Sequence, residues 1–372
     1  MDQTKASHFE FAAFEAHWDC SSWLVSQNAS ISRSSFLRII TPMTLQLFLV
    51  GLFAGRISSI WASALMAETL QSGLRRCPGC GYPVSLFRQF VMWYPGIRCR
   101  KCFVRDRNWP FCASLCLAVL FVVFGWLLIN EQCQTVSEVR PSLELWRNRL
   151  PFHLIFIFLL ATATITDFLD YVIPDPIVMS GVLLAVVWAT VSGELQTIHV
   201  WVNWDYDLVA LYGPYLPEWM KQHQHVHGFV WSMAGLISGA SIMWAGRIAS
   251  HRILGIPAIG LGDVTLMAMI GAFMGWQPTL CVLAIAPLVG IVLGVGGRII
   301  TGRSFVAFGP YLCIAAYIVL CIWRLLWEEL RLKIIFSHWP TITGMIAGSF
   351  AVYCVLLVGL RIFRATPHER LR

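Results

Sequence analysis

Nine apolar stretches set the terms for this chain, at 43–66, 111–130, 150–168, 173–192, 228–246, 264–279, 280–297, 305–323 and 342–361. A run of roughly 20 apolar residues is what an α-helix needs to cross the hydrocarbon of a bilayer. No water is available there, so each segment must satisfy its own backbone N–H and C=O groups, which a helix does. The expected class is therefore all-α: a polytopic membrane bundle of about nine transmembrane helices. The stretches 264–279 and 280–297 are short and read as a tight hairpin. Composition agrees, because a chain that is 57% hydrophobic and only 13% charged has more apolar surface than a soluble domain could cover.

The net charge of +7 would suit a nucleic-acid partner if it formed a patch. Instead the basic residues cluster in short loops between apolar runs, as membrane orientation requires, and no nucleic acid is expected. Arg75, Arg76, Arg88, Arg98, Arg100, Lys101, Arg105 and Arg107 lie between the first two helices, so that loop faces the cytoplasm. Alternation then puts 167–175 inside and the acidic loop 193–227 outside. It also places Arg247, Arg252, Arg298, Arg303 and the tail inside, with the N-terminus outside. The one mixed segment is 324–333, where Arg324, Arg331 and Lys333 sit with Glu328 and Glu329 on the outer side. The organisation expected is an extracytoplasmic extension over 1–42, a first helix at 43–66, a cytoplasmic cysteine domain at 67–110, a membrane core at 111–365 and a cytoplasmic tail at 366–372. Residues 1–40 lack a basic-then-apolar start, so a cleavable signal peptide is not expected. Arg56, inside the first helix, should face protein rather than lipid.

Two acidic stretches carry the chemistry. In "TDFLDYVIPD", 166–175, Asp167 ends the third helix; in "GLGDVTLMAMIGAFMGW", 260–276, Asp263 opens a later one. Either aspartate alone reads as a helix cap or a snorkelling surface group. Together they reach the same membrane face at matched depth. Two like charges in a poorly solvated pocket cannot both stay ionised, so one keeps a proton. That pair suits amide hydrolysis, the ionised member taking a proton from water and the protonated one donating to the carbonyl. Gly260 and Gly262 leave room for close approach of backbone or substrate. Pro174 and Asp175 open the fourth helix and support the site.

These stretches resemble the bacterial type IV prepilin peptidases, membrane aspartic proteases of the GxGD type. The family pattern D-x6-P-D/N falls on Asp167, Pro174 and Asp175, and its GxGD segment on Gly260, Gly262 and Asp263; "FGPYL", 308–312, resembles a further family segment. The resemblance covers roughly 75–365. It implies catalysis by Asp167 and Asp263 and cleavage of a short basic leader from prepilin-like or pseudopilin helices of type IV pilus and type II secretion systems. It also implies residence in the bacterial inner membrane, with the site facing the cytoplasm. Thr265 stands where the family usually has Lys, which removes a cation near the carboxylates.

"CPGC" at 77–80 and "CRKC" at 99–102 form two Cys-x2-Cys pairs with eighteen residues between them. Such pairs hold a tetrahedral structural zinc, here through Cys77, Cys80, Cys99 and Cys102. A reducing cytoplasm disfavours disulfides there, and Arg98, Arg100 and Lys101 favour thiolates. The resemblance adds that relatives often carry such pairs and also methylate the product with S-adenosylmethionine. "AGRISSIWAS", 54–63, lacks the Asn of the corresponding family segment, so methylation stays open here. The other cysteines have no convincing ligand spacing, and those in helices, among them Cys281, Cys313 and Cys321, read as packing residues.

His223, His225 and His227 would share a face only on a strand, and they read as an interfacial polar edge. "GVGGR", 294–298, reads as close helix packing. Two other classes stay open: an ion- or proton-coupled transporter, and a non-catalytic relative that binds pilin-like partners.

Overall fold

The computed structural model describes residues 33–69, 80, 101–102, 109–139, 145–204, 214–301 and 308–365. Among them the helices are α1 (Arg33–Thr69), α2 (Trp109–Ile129), α3 (Leu145–Asp170), α4 (Asp175–Ser192), α5 (Glu218–Gln222), α6 (Gln224–Leu254), α7 (Leu261–Met274), α8 (Trp276–Thr301), α9 (Gly309–Arg324), α10 (Leu332–Ser337) and α11 (Trp339–Ala365). A π-helical turn, Leu325–Glu329, follows α9. No strand occurs among the described residues, only isolated bridges. The chain forms two compact units, Met1–Leu45 and Gln46–Arg372; everything that follows concerns the second.

Among the described residues, eight helices are long and apolar enough to cross a membrane, so this is a multi-pass membrane protein. The ninth expected span differs. α7 has 14 residues, about 21 Å of helix, short of the ~30 Å hydrocarbon. It need not meet lipid, because Leu266, Met267, Met269, Ile270, Ala272 and Phe273 are fully buried among α4, α6, α8 and α9. The break after it lies at Gly275, not at 279/280 as the apolar runs suggested. Gly275 has φ 80°, and its Cα faces the Trp231 indole so closely that no Cβ would fit. α8 then runs unbroken for 26 residues.

Small residues set how near the helices come. A Cβ on Gly235 would strike the carbonyl oxygen of Gly271, and one on Gly271 that of Gly235, so α6 and α7 cross backbone against backbone. Gly239 packs in the same way on Met267, and Gly51 and Gly55 bring α1 against Ala118 and Ser114 of α2. The Ser58 and Thr162 hydroxyls hydrogen-bond at 2.9 Å between α1 and α3. Arg56 is half-buried. Gly290 and Gly294 face Tyr311, whereas a Cβ on Gly296 would meet nothing within 4 Å, so close packing holds at Gly294 and not at Gly296.

The loop 193–227 is more than an interfacial strip. Leu195 and Ile198 are fully buried, and the segment is stitched to the α7–α8 junction. Thr197 Oγ1 donates to Met274 O at 3.2 Å, Trp276 Nε1 to Val200 O at 2.7 Å and Gln277 Nε2 to His199 O at 2.9 Å. The three histidines do not alternate along a strand, because α6 begins at Gln224; His227 is buried, its ring 5.1 Å from that of His199. Burial holds the His199 imidazole below its usual range, so it stays neutral.

At the same end of the bundle, Glu138 accepts from Trp204 Nε1 at 2.6 Å and Trp327 Nε1 at 2.8 Å. The mixed charges of 324–333 partly neutralise one another there, with Lys333 2.6 Å from Glu328.

Candidate active site

The end of α3 and the start of α7 deliver the two aspartates. α3 runs to Asp170, so Asp167 lies in its last turn, 6% exposed. Tyr171 closes that turn by donating its N–H to Asp167 O at 3.1 Å, with φ 56°, and Pro174 starts α4. The proline suits a position where a helix has no N–H to satisfy. Asp175, in the first turn of α4, is exposed and makes no capping bond; its charge favours the helix N-terminus.

Asp263 is the third residue of α7. Its Oδ2 accepts the Gly260 N–H at 3.1 Å, the return half of a capping box whose forward half glycine cannot supply. Burial disfavours its charge, while the Gly260 N–H and the positive end of the helix favour the ionised form. Gly260 and Gly262 matter for space, not for unusual backbone angles. A Cβ on Gly260 would come 3.1 Å from Asp263 Oδ2, and one on Gly262 would come 3.2 Å from Ile173 Cβ. Thr265 turns its hydroxyl back to Gly262 O at 3.1 Å.

α9 closes the site. A Cβ on Gly309 would strike Asp167 Oδ2 and come 3.1 Å from Ile173 Cδ1. The Gly309 N–H is directed at the Asp167 carboxylate. One turn further on, buried Cys313 lies within electrostatic reach of both aspartates, which lie within reach of each other. A short contact path thus runs from Asp263 through Gly262, Ile173 and Gly309 to Asp167. The two carboxylates, 96 positions apart in the chain, converge.

Sequence reasoning missed three parts of this site. Gly309 was visible only within the "FGPYL" resemblance, with no role attached, and Cys313 read as packing. The third is the brace on the α7 entry. Arg247 Nη1 donates to Ile259 O, and Ala258 N–H donates to Ser250 Oγ at 3.1 Å, tying residues 258–260 to the end of α6. No local signal marks these partners, because they are set by the crossing of α6 and α7. Of the four expected zinc ligands, Cys77 and Cys99 lie outside the described residues; Cys80 is exposed and Cys102 half-buried.

Residues 154–295, which hold both aspartates, match the sequence profile of the type IV leader peptidase family. This region belongs to that family. The leader-peptidase region of the chain is also similar to curated relatives. The prepilin leader peptidase/N-methyltransferase of Aeromonas salmonicida (strain A449) is 34% identical over 92 residues, 24% of this chain and 32% of the relative. The protein of that name from Pseudomonas aeruginosa is 36% identical over 92 residues, with the same coverage. That of Pseudomonas putida is 24% identical over 259 residues, 64% of this chain and 76% of the relative. The chain thus spans about a third of the length of the first relatives it matches. No solved structure matches it.

Proposed function

We propose that this chain is a membrane aspartic endopeptidase that removes the short basic leader from type IV prepilin-like or pseudopilin proteins. Cleavage takes place at the cytoplasmic face of a bacterial inner membrane. The observation that carries the proposal is the convergence of Asp167 and Asp263 around Gly309 and Ile173. Asp263, at a helix N-terminus, is the ionised partner; Asp167, more deeply buried, keeps the shared proton.

Asp263 takes a proton from a water molecule, whose oxygen attacks the carbonyl carbon of the scissile amide. Asp167 donates its proton to the carbonyl oxygen, and the tetrahedral intermediate collapses as the leaving nitrogen gains a proton. A substrate helix lying in lipid beside the enzyme brings its leader junction to the depth of this pair. The positive-inside distribution of Arg and Lys supports the orientation, with the N-terminus outside, the C-terminus inside and the aspartates facing the cytoplasm.

The Cys77, Cys80, Cys99 and Cys102 set fits zinc by its chemistry, four soft thiolates in two Cys-x2-Cys pairs. Bound there, zinc would hold the cytoplasmic loop together and take no part in the cleavage. The names of the relatives include N-methyltransferase; the proposal for this chain is limited to proteolysis.

The test is cleavage of a prepilin-like substrate by the membrane-inserted enzyme. Asp167→Asn and Asp263→Asn should each lower the rate by about 10³-fold or more while leaving insertion intact. Cleavage at the parent rate by either variant would end the proposal.

A further inference from the structure

We infer that Cys133 and Cys321 form a disulfide that staples the segment 130–139 to α9 at the end of the bundle opposite the aspartates. The inference rests on the orientation proposed above, which puts this end in the extracytoplasmic space, where disulfides form and persist.

The two cysteines are neighbours by geometry. Cys133 O accepts the Arg324 N–H at 2.8 Å, in place of an ordinary helical bond. Cys133 Sγ lies 4.0 Å from the carbonyl oxygen of Leu320, the residue joined to Cys321, and Gln134 Nε2 donates to that same oxygen at 3.3 Å. Both thiols act electrostatically on each other and on the Tyr317 hydroxyl, which donates to Leu120 O at 3.0 Å. The two backbones are therefore pinned side by side, with Cys133 bonded to the turn of α9 that carries Cys321.

Position along the bundle separates this pair from the reducing side. Gly309 lies against Asp167, and Cys321 follows it by 12 residues along α9, about 18 Å of helix. Cys133 lies beyond the far end of α2, in the segment 130–139, which Glu138 also fastens to Trp204 and Trp327.

The chemistry balances by thiol–disulfide exchange with an oxidised dithiol protein of the extracytoplasmic space. The Cys133 thiolate attacks one sulfur of the oxidant's disulfide, and one oxidant thiolate leaves. The Cys321 thiolate then attacks the Cys133 sulfur of the mixed disulfide and releases the second oxidant thiolate. Two protons pass from the cysteines to the departing thiolates. In the docked segment Cys133 and Cys321 are 6% and 9% exposed, and burial pushes the Cys133 thiol up to about 12. Exchange therefore belongs to the stage before 130–139 closes over α9.

The test takes the full chain expressed in a bacterial inner membrane. Free thiols are trapped with N-ethylmaleimide under denaturing conditions, without reductant, and the peptides are analysed by mass. The expected result is a Cys133–Cys321 linked peptide that disappears on reduction and in Cys133→Ser and Cys321→Ser. Without reductant, the parent should also migrate faster on a denaturing gel than either variant. Recovery of both cysteines as maleimide adducts, or a link from either one to a second chain, overturns the inference. Ser137→Cys in the double serine background tells the two readings apart. Labelling by an impermeant maleimide in intact cells, with the parent's thiols free, overturns the staple and leaves the orientation standing. Labelling of that cysteine only after the membrane is opened, again with free thiols, overturns both.

Discussion

Gly309→Ala is the most exacting test of the site geometry. The new methyl would overlap Asp167 Oδ2, and it would lie 3.2 Å from Asp167 Cγ and 3.1 Å from Ile173 Cδ1. Ile173 is itself held by the Gly262 backbone of α7, so the softest response is rotation of the Asp167 carboxylate. Restoring ordinary contact takes a displacement of about 1 Å in a close-packed site. The strain amounts to about 1–3 kcal/mol, as in other overpacked interiors, so most of the protein should still fold. A misplacement of that size at a reacting group costs about 10²-fold in rate.

The assay compares kcat/KM for leader cleavage with the thermal midpoint in detergent. Gly344→Ala is the control, since a Cβ there meets nothing within 4 Å. The expected outcome is a rate loss of about two orders of magnitude for Gly309→Ala, with a small shift in midpoint, and no rate change for Gly344→Ala. A Gly309→Ala enzyme cleaving within twofold of the parent would refute the claim that α9 fixes Asp167.

Further outcomes follow from other contacts. Gly235→Val, aimed at the Gly271 carbonyl, should abolish folding rather than slow catalysis, seen as loss of a monodisperse peak in detergent. Glu138→Ala strands the buried Trp327 and the half-buried Trp204 indole N–H groups and should cost about 1–3 kcal/mol of stability, with cleavage by the folded fraction unchanged. Arg247→Ala releases Ile259 O and loosens the loop leading into Asp263; kcat should fall about tenfold or more, with the midpoint lowered only slightly. Cys77→Ser combined with Cys80→Ser should remove one zinc per chain on metal analysis and make 67–110 more susceptible to protease; a parent with no zinc would remove the basis for the proposed site.

Much of this protein was legible in its sequence because the bilayer is a severe solvent. Lipid demands long apolar runs, so eight spans could be placed from sequence, the first almost to the residue at 43–66 against Pro42–Met66 and others, as with 228–246 against Gln224–Leu254, several residues short. Asp167 and Asp263 stood out because a carboxylate bordering such runs needs a reason to be there. The same apolarity erased lateral information. Within 261–301 every face is hydrophobic, and no periodicity marks the turn at Gly275 or tells buried α7 from a lipid-facing span. The histidine tract was no more informative, since alternate spacing says nothing until the backbone is known to be helix.

What the sequence alone determined is the class of fold, the two acidic groups and the chemistry of which such a pair is capable, all of which follow from local composition and spacing. Only the tertiary structure decided that the two acids come within electrostatic reach of each other, and that Gly309, Ile173 and Cys313 gather around them while Arg247 braces the approach. Those facts depend on which helix faces cross and how closely. Here that is set by pairs of glycines such as Gly235 and Gly271, far apart in the chain, whose missing side chains let two backbones touch.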